Sequence, residues 1–312
     1  MGPALALNSI GSSWRSTVWR NVAGGSLRRL TALLVALALG AAGSANANYD
    51  TEWVEFPALE EFGGEAVQLN GLMYRPLGAG PFPALVLMHG CGGMFTRQGY
   101  VTSSYRHWAE LLALEGYVAL LVDSFGPRGY GSICALQKRP IRESRERADD
   151  IYAARDWLAA QSYVAGERIG VIGWSNGASG TLYGMRETRP RRGIRAAVAF
   201  YPGCRTLARS KPPYRPYAPL LILAGEADDW TPAGPCVELA AIARQQGAAM
   251  EIVTYPGAHH SFDRINSPVR YRPDVRNLNR PDRKGATAGE HPEARKDAIR
   301  RALEFFALQL KN

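Results

Sequence analysis

The chain has 312 residues, of which 46% are apolar and 21% are charged, and it carries a formal charge of +9. These proportions are ordinary for a folded soluble protein and exclude a disordered tail, a collagen and a polytopic membrane protein. The length suits one large α/β domain or two small ones. The positive charge raises the question of a nucleic-acid partner, and the answer depends on where the basic residues lie.

The first 47 residues have the pattern of an export signal. They hold four arginines and no acidic residue, then an apolar run over 30–42 and the small-x-small sequence Ala45-Asn46-Ala47. The apolar run is shorter than the roughly 20 residues that a membrane-spanning helix needs. This order predicts a secretory signal over 1–47, with an uncleaved anchor as the alternative. We therefore expect an exported protein, periplasmic or secreted, whose residues 48–312 form one domain without a stable membrane anchor.

The basic residues do not form a pattern typical of nucleic-acid binding. Cleavage after Ala47 would lower the formal charge from +9 to +5. Much of the remaining excess lies between Arg264 and Lys284, where Asp274 and Asp282 are interspersed and no ladder of aromatic residues occurs. Sites for single-stranded nucleic acids combine basic grooves with stacking aromatic side chains. We interpret this stretch as a solvated loop and expect no nucleic-acid partner, while the oligomeric state stays open.

Short apolar runs alternate with helical stretches along the rest of the chain. Continuous apolar runs, typical of strands buried on both faces, occupy 84–88, 117–122, 169–173, 196–201 and 220–224, and an extended stretch occupies 251–255. Helical stretches occupy 107–114, 144–160, 176–186, 237–244 and 291–310. This alternation predicts an α/β fold, with a mostly parallel central sheet of about seven or eight strands and helices on both faces. Functional residues of such sheets lie just beyond the carboxyl ends of the strands.

Three of these strand ends carry the residues of a serine nucleophile, an acid and a base. Gly173-Trp174-Ser175-Asn176-Gly177 lies between a predicted strand and a predicted helix, which is the setting of a nucleophile elbow. The alternative is a serine that only caps the helix. Asp228, with Asp229 as the second choice, follows a later strand. His260 follows the last strand and is preferred as the base over its neighbour His259. The order Ser175, Asp228, His260 is that of α/β-hydrolases, in which these residues form the catalytic triad.

A glycine-rich turn, His89-Gly90-Cys91-Gly92-Gly93, follows the first buried strand. Such a turn exposes backbone N–H groups, and the N–H groups of Cys91 and Asn176 are the candidates for an oxyanion hole. We interpret His89 as structural, since a histidine in such a turn is more often structural than catalytic.

Taken together, these segments resemble the dienelactone hydrolase family of α/β-hydrolases. The resemblance runs from about Phe82 to the final helix, and its segments are 89–93, 122–129, 173–177, 225–232 and 255–262. The aspartate of the family's Gly-x-x-Asp turn falls on Asp228, and the histidine of its His-x-Phe ending falls on His260. The resemblance implies an α/β-hydrolase fold and hydrolytic activity.

Two departures from the family's pattern point in the same direction. The best-known members use a cysteine nucleophile, whereas this chain has Ser175, and they place a glutamate where this chain has Gly90. Both changes indicate a Ser-His-Asp esterase and place dienelactone itself in doubt as the substrate. Family members also bind a substrate carboxylate with two arginines, and the resemblance implies Arg128 and Arg264 in that role, with a surface arginine as the alternative for each. We assign Trp174 to substrate binding with them.

Export of the protein would favour disulfide bonds between its four cysteines. An even number of cysteines in an oxidising compartment favours disulfides. Their places after the predicted strands favour the pairs Cys204–Cys236 and Cys91–Cys134, with buried free thiols as the alternative. No Cys-x-x-Cys pair and no cluster with zinc spacing occurs, so we expect no metal.

The sequence thus predicts an exported serine hydrolase that cleaves a small-molecule carboxylic ester or lactone through an acyl-enzyme, without a cofactor. A peptidase of the same fold is one alternative, because the elbow and the triad are shared. A binding protein that keeps the fold without catalysis is the other.

Overall fold

The computed structural model describes residues 48–312, so the predicted signal peptide over 1–47 lies outside the described residues. No helix in this described part is long and apolar enough to cross a membrane. The strands are β1 Tyr49–Pro57, β2 Gln68–Pro76, β3 Phe82–Met88, β4 Val118–Asp123, β5 Val164–Trp174, β6 Ala197–Phe200, β7 Leu220–Gly225, β8 Met250–Tyr255, β9 Arg270–Arg276 and β10 Lys284–Ala288. The α-helices are α1 Ser103–Leu114, α2 Glu146–Ala159, α3 Asn176–Gly184, α4 Arg205–Ala208, α5 Gly234–Gln245 and α6 Pro292–Leu310, and a 3₁₀ turn covers Gly126–Arg128.

The main sheet has eight strands in the order β1-β2-β4-β3-β5-β6-β7-β8. The six strands from β4 to β8 in this order are parallel, whereas β1 and β2 pair antiparallel with each other and β2 pairs antiparallel with β4. This architecture confirms the predicted α/β fold with a mostly parallel sheet. The parallel order brings the carboxyl ends of β5, β6, β7 and β8 side by side.

Helices cover both faces of the sheet, as predicted. Ile151 of α2, Leu182 of α3 and Leu239 of α5 join the apolar core on one face. Trp108 of α1 and Phe306 of α6 join the core on the other face. Because both faces are covered, every residue of β4 is buried, which explains why such strands appear in the sequence as continuous apolar runs.

The segment between Arg264 and Lys284, expected to be a solvated loop, contains one strand of a hairpin. In this hairpin β9 pairs antiparallel with β10. Only Val275 of β9 is buried, so the strand lacks the alternation that would mark it in the sequence. Val275 and Ala286 pack with the Cys91–Cys134 disulfide and Trp230. The hairpin is therefore an attached part of the fold, lying over the loops at the carboxyl ends of the strands.

The structure contains both of the disulfides that the sequence analysis predicts. Cys204–Cys236 connects the end of β6 to the first turn of α5, and Cys91–Cys134 connects the turn after β3 to the loop that follows the 3₁₀ turn. In the described part of the chain no cysteine is free. Each bridge therefore links two chain segments that follow the carboxyl ends of parallel strands.

Replacing both partners of one bridge, in Cys204→Ala/Cys236→Ala, should lower the free energy of unfolding by about 3 kcal/mol, because the unfolded chain regains the freedom of the closed loop. Urea unfolding followed by tryptophan fluorescence measures this difference against the wild type. A loss below about 1 kcal/mol would show that the bridge does little to stabilise the fold.

His89 ends the apolar run of β3 and is completely buried. Its Nδ1 lies 2.8 Å from the carbonyl oxygen of Gly90, so Nδ1 carries the hydrogen. Its Nε2 lies 3.3 Å from the backbone nitrogen of Ser124 and 3.3 Å from Nη1 of Arg147, and both of those groups donate. Burial, and then the positive charge of Arg147, hold the pKa of His89 well below its usual value. The histidine is therefore a neutral structural residue.

This arrangement predicts a contribution of His89 to acid sensitivity. Below about pH 6.5 the unfolded chain binds a proton at His89 and the folded chain does not, so the free energy of unfolding falls as pH falls, by up to about 1.4 kcal/mol per pH unit. His89→Gln should flatten this slope between about pH 6.5 and about pH 5.5 while leaving the slope above about pH 7.5 unchanged. Urea unfolding of both proteins across this range provides the measurement, and equal slopes in the acidic part of the range would contradict the assignment.

Candidate active site

The sharp turn between β5 and α3 places Ser175 in a conformation that few residues adopt. Its φ is +54°, in the region disfavoured for residues other than glycine. A Cβ atom at Gly177 would lie 2.1 Å from the carbonyl oxygen of Met88, and one at Gly173 would lie 2.6 Å from Oγ1 of Thr181. Only glycine fits on either side, so the turn can be this tight. The geometry is that of a nucleophile elbow.

Ser175, His260 and Asp228 form a continuous chain of hydrogen bonds. Oγ of Ser175 lies 2.9 Å from Nε2 of His260, and Nδ1 of His260 lies 2.8 Å from Oδ2 of Asp228. The other oxygen of Asp228 accepts hydrogen bonds of 2.8 Å from the backbone nitrogens of Trp230 and Thr231. The carboxylate is thereby fixed, and it in turn fixes the imidazole with its hydrogen on Nδ1.

The neighbouring acid and the neighbouring histidine have other partners. Asp229 accepts a hydrogen bond of 2.7 Å from the backbone nitrogen of Thr287 on β10 and does not pair with His260. Nδ1 of His259 lies 2.8 Å from the carbonyl oxygen of Ala227. The structure therefore brings the first-choice residues, Asp228 and His260, into one hydrogen-bonded chain with Ser175.

The turn after β3 lies against the nucleophile. A Cβ atom at Gly90 would lie 3.4 Å from Cβ of Ser175. The next residue, Cys91, is held by its disulfide to Cys134, and its carbonyl oxygen accepts a hydrogen bond of 2.9 Å from the nitrogen of Ile133. Asn176 is the first residue of α3. One of the two predicted oxyanion-hole residues thus belongs to the turn that packs against the serine, and the other follows the serine in the chain.

A cavity of about 330 Å³ opens beside Ser175. Three arginines line it, Arg139, Arg205 and Arg276, together with one acidic residue, Glu143. The remaining lining residues are Asn176, Ser179, Tyr183, Gly203, Cys204, Thr206, Trp230, Thr231, Pro232, Pro235, Leu278 and Asn279. The cavity is therefore polar and carries an excess of positive charge.

Glu143 accepts two hydrogen bonds from other residues of the cavity wall. Its Oε1 accepts hydrogen bonds from the side-chain amide of Asn176 and from Nη1 of Arg139. Burial and the positive charge of Arg139 lower the pKa of Arg276, and Glu143 offsets this shift only in part. The positive charges of the wall are thus incompletely neutralised by its one carboxylate.

The structure gives Arg128 an internal role in place of the predicted contact with substrate. Its guanidinium forms two hydrogen bonds with Asp150 of α2, of 2.7 and 2.8 Å, and a third of 2.7 Å with the carbonyl oxygen of Ser124. The side chain is only 2% exposed and does not line the cavity. The 3₁₀ turn directs this arginine toward the buried aspartate and away from the site.

Trp174 also lies in the interior. It is 1% exposed, its ring contacts those of Tyr105, Trp108 and Phe200, and its indole N–H donates a 2.8 Å hydrogen bond to Asp263. As the last residue of β5 it faces the apolar core under α1, so the predicted contact with substrate is not available to it.

Arg264 is partly buried near the turn after β3, outside the lining of the cavity. Burial lowers its pKa, but the nearby Tyr105, Tyr201 and Asp263 outweigh burial and raise the pKa overall. Tyr105 in turn accepts a 2.8 Å hydrogen bond from the backbone nitrogen of Gly90. Arg264 is thus connected to this turn through Tyr105, but it is not one of the arginines that line the cavity.

Sequence reasoning did not assign the arginines of the cavity. Arg276 ends β9 and reaches the cavity because the hairpin folds over the site, where its carbonyl oxygen accepts a 2.8 Å hydrogen bond from the indole N–H of Trp230. Arg139 and Glu143 lie in the loop before α2, whose path is set by the Cys91–Cys134 bridge. The sequence analysis interpreted the stretch that holds Arg276 as a solvated loop, and only the folded hairpin shows that this residue lines the cavity.

Among residues 48–312, no group of three or more His, Cys, Asp or Glu side chains is arranged to hold a metal ion.

Several known proteins are similar to this chain. A Bradyrhizobium protein named "Probable 2-oxo-3-(5-oxofuran-2-ylidene)propanoate lactonase" is 28% identical over 200 residues, which cover 60% of this chain and 76% of that protein. The uncharacterized peptidase YuxL of Bacillus subtilis is 24% identical over 247 residues, which cover 69% of this chain but only 36% of the peptidase.

Solved structures share the fold. One named "Putative Dienelactone Hydrolase", from Klebsiella pneumoniae, has a TM-score of 0.60 at 22% identity and covers 83% of this chain and 99% of its own. The acylaminoacyl peptidase of Pyrococcus horikoshii has a TM-score of 0.61 at 18% identity, covering 85% of this chain but 42% of its own.

The model of one protein family matches most of the chain. It is the model of the dienelactone hydrolase family, and the match covers residues 69–310, which include the elbow, the acid turn and the histidine loop. The resemblance seen in the sequence is thereby confirmed. This chain belongs to the dienelactone hydrolase family.

Proposed function

We propose that this protein is a serine hydrolase that cleaves a carboxylic ester or a lactone through an acyl-enzyme. The observation that carries the proposal is the hydrogen-bonded chain from Ser175 through His260 to Asp228 beside an open cavity. A hydroxyl within 2.9 Å of an imidazole nitrogen, with the imidazole oriented by a carboxylate, is the arrangement that activates a serine.

In this mechanism His260 takes the proton of Ser175 as Oγ attacks the substrate carbonyl. Asp228 holds the imidazole in position and stabilises the cation that forms. The backbone N–H groups of Cys91 and Asn176 are the proposed donors to the oxyanion, and each such donor stabilises the transition state by roughly 3 kcal/mol. His260 then gives the proton to the leaving oxygen, and water activated by the same histidine releases the acid.

A peptidase of the same fold is the second candidate. Peptidases occur among the similar structures, as the Pyrococcus enzyme shows, but the chain covers only 42% of that protein. The lactonase from Bradyrhizobium, by contrast, is covered over 76% of its length. Because the chain matches a larger share of the lactonase than of the peptidase, we favour an ester or lactone as the substrate.

The cavity favours a substrate that carries a carboxylate. A guanidinium binds a carboxylate with two parallel hydrogen bonds, and Arg205 and Arg276 both line the cavity wall without an ion pair to an acidic side chain of residues 48–312. These residues take the role that the sequence analysis gave to Arg128 and Arg264. We place the anionic group of the substrate at this wall and the scissile carbonyl at Ser175.

Export is also part of the proposal. Both disulfides join loops at the site, and such bonds persist in the periplasm or outside the cell, whereas cytosolic thiols are kept reduced. The signal pattern of the first 47 residues points to the same location.

Ser175→Ala should abolish nearly all hydrolysis of p-nitrophenyl acetate, by a factor of at least about 10³, because no acyl-enzyme can form. The wild type should also be labelled by a fluorophosphonate probe, and the variant should not. Turnover that survives in the variant would refute the assignment of Ser175 as the nucleophile. An unlabelled, inactive wild type would refute the serine hydrolase function itself.

A second measurement separates a peptidase from an esterase: the rates of hydrolysis of an amide and an ester that are otherwise matched.

Arg276→Gln should raise KM for an ester that bears a free carboxylate by about 10-fold or more, since a charge-assisted hydrogen bond contributes roughly 1.5–3 kcal/mol. The neutral methyl ester of the same compound should show little change. Arg270→Gln, on the exposed start of the same hairpin, is the matched control. Equal effects on the charged and neutral substrates would exclude a carboxylate contact at Arg276.

A further inference from the structure

A second carboxylate is buried near the site and has no part in the hydrolytic mechanism above. Asp263 follows His260 by three residues in the loop after β8 and is only 3% exposed. Burying a carboxylate is costly unless hydrogen bonds replace its water, so its partners reveal what it does.

Three aromatic side chains donate to this carboxylate. Oδ2 of Asp263 accepts hydrogen bonds from Nε1 of Trp108 at 3.0 Å and from Nε1 of Trp174 at 2.8 Å, and Oδ1 accepts one of 2.6 Å from the hydroxyl of Tyr201. An indole nitrogen can only donate, so Oδ2 carries no proton. Burial, and then the charge of Asp263, raise the pKa of Tyr201 well above its usual value, which keeps its hydroxyl protonated.

Two of these donors are in direct contact with the catalytic machinery. Trp174 immediately precedes Ser175, whose strained backbone needs support from its surroundings. The ring of Tyr201 packs against the ring of His260, with centroids 4.6 Å apart. Trp230 lies on His260 as well, with centroids 4.7 Å apart. Both rings are fixed by a hydrogen bond to another part of the chain. Tyr201 donates to Asp263, and Trp230 donates to the hairpin.

One carboxylate therefore links four separate parts of the chain. It belongs to the histidine loop, it holds the end of β5 through Trp174, and it holds the residue after β6 through Tyr201. The third donor, Trp108, ties this group to α1. A shift of Asp263 would move the serine and the imidazole relative to each other.

We propose that Asp263 is a positioning residue that sets the distance between Ser175 and His260 by anchoring Trp174 and Tyr201. This inference rests on the proposed serine hydrolase function. A displacement of about 1 Å in a reacting group can cost about 100-fold in rate, so the anchor should act on kcat and leave KM nearly unchanged.

Two substitutions at Asp263 separate anchoring from charge. Asp263→Asn keeps nearly the same shape, because an amide oxygen has two lone pairs for the two indole N–H groups and an amide nitrogen can donate to the hydroxyl of Tyr201. We therefore expect Asp263→Asn to keep kcat within about threefold of the wild type, whereas Asp263→Leu, which leaves all three donors unpaired, should lower kcat about 100-fold at an unchanged KM.

A matched pair of tyrosine variants tests the same idea without touching Asp263. Tyr201→Phe keeps the ring on His260 but removes the anchoring hydroxyl. Tyr214→Phe removes an equally buried hydroxyl, which donates a 3.0 Å hydrogen bond to the carbonyl oxygen of Leu182 away from the site. We expect Tyr201→Phe to lower kcat about 10-fold and Tyr214→Phe to leave it unchanged, while thermal unfolding shows similar losses of stability for both.

The measurements are kcat and KM on p-nitrophenyl acetate, the rate of fluorophosphonate labelling and thermal unfolding, each for all variants. A large loss of kcat in Asp263→Asn would overturn the proposal, because it would show that the charge of Asp263 matters and not its anchoring hydrogen bonds. An unchanged kcat in Asp263→Leu would also overturn it. If Asp263→Leu does not fold, equal kcat in the two tyrosine variants overturns it. A wild type that is neither active nor labelled would instead overturn the serine hydrolase function.

Discussion

The hydrogen bond between Oγ of Ser175 and Nε2 of His260 joins the ends of two strands that are not neighbours. β5 and β8 are separated by β6 and β7, so the 2.9 Å contact requires that both intervening strand ends be held in place. β6 leads to Tyr201, whose ring packs against the imidazole, and β7 leads to Asp228, which accepts from its Nδ1. Four consecutive strand ends thus each supply one element of the site, and the order of the sheet determines its geometry.

The part of the site that lies directly at strand ends is the part that the sequence could predict. Ser175, Asp228 and His260 each follow an apolar run, and parallel pairing must bring such positions to one edge. The cysteine pairs follow from the same reasoning, since all four half-cystines flank those ends. The central strands β3 to β7 were predictable because their apolar cores are buried on both faces and leave a strong apolar signal.

Substrate-contacting roles assigned only because a residue lies beside a motif were less predictable. The direction of the side chain matters as much as the position of the residue in the chain. Trp174 adjoins the nucleophile, but strand residues alternate between faces, and this one faces the core beneath α1. The residues of the cavity wall could not be predicted from the sequence for another reason. β9 has one buried residue, Val275, and the hairpin is held by polar contacts such as that between Asp229 and Thr287. Such contacts between distant polar residues leave no periodic pattern in the sequence.

The arginines show why a charge count alone says little about function. Arg128 has a buried carboxylate as a partner and supports the fold, so its charge is neutralised inside the protein. Within residues 48–312, Arg205 and Arg276 form no ion pair with an acidic side chain and both line the cavity. Identical side chains thus differ in their surroundings, since one is paired with a carboxylate in the interior and others line a cavity without such a partner. Under the proposed function, a carboxylate-bearing substrate would supply the acidic partner that Arg205 and Arg276 lack among residues 48–312.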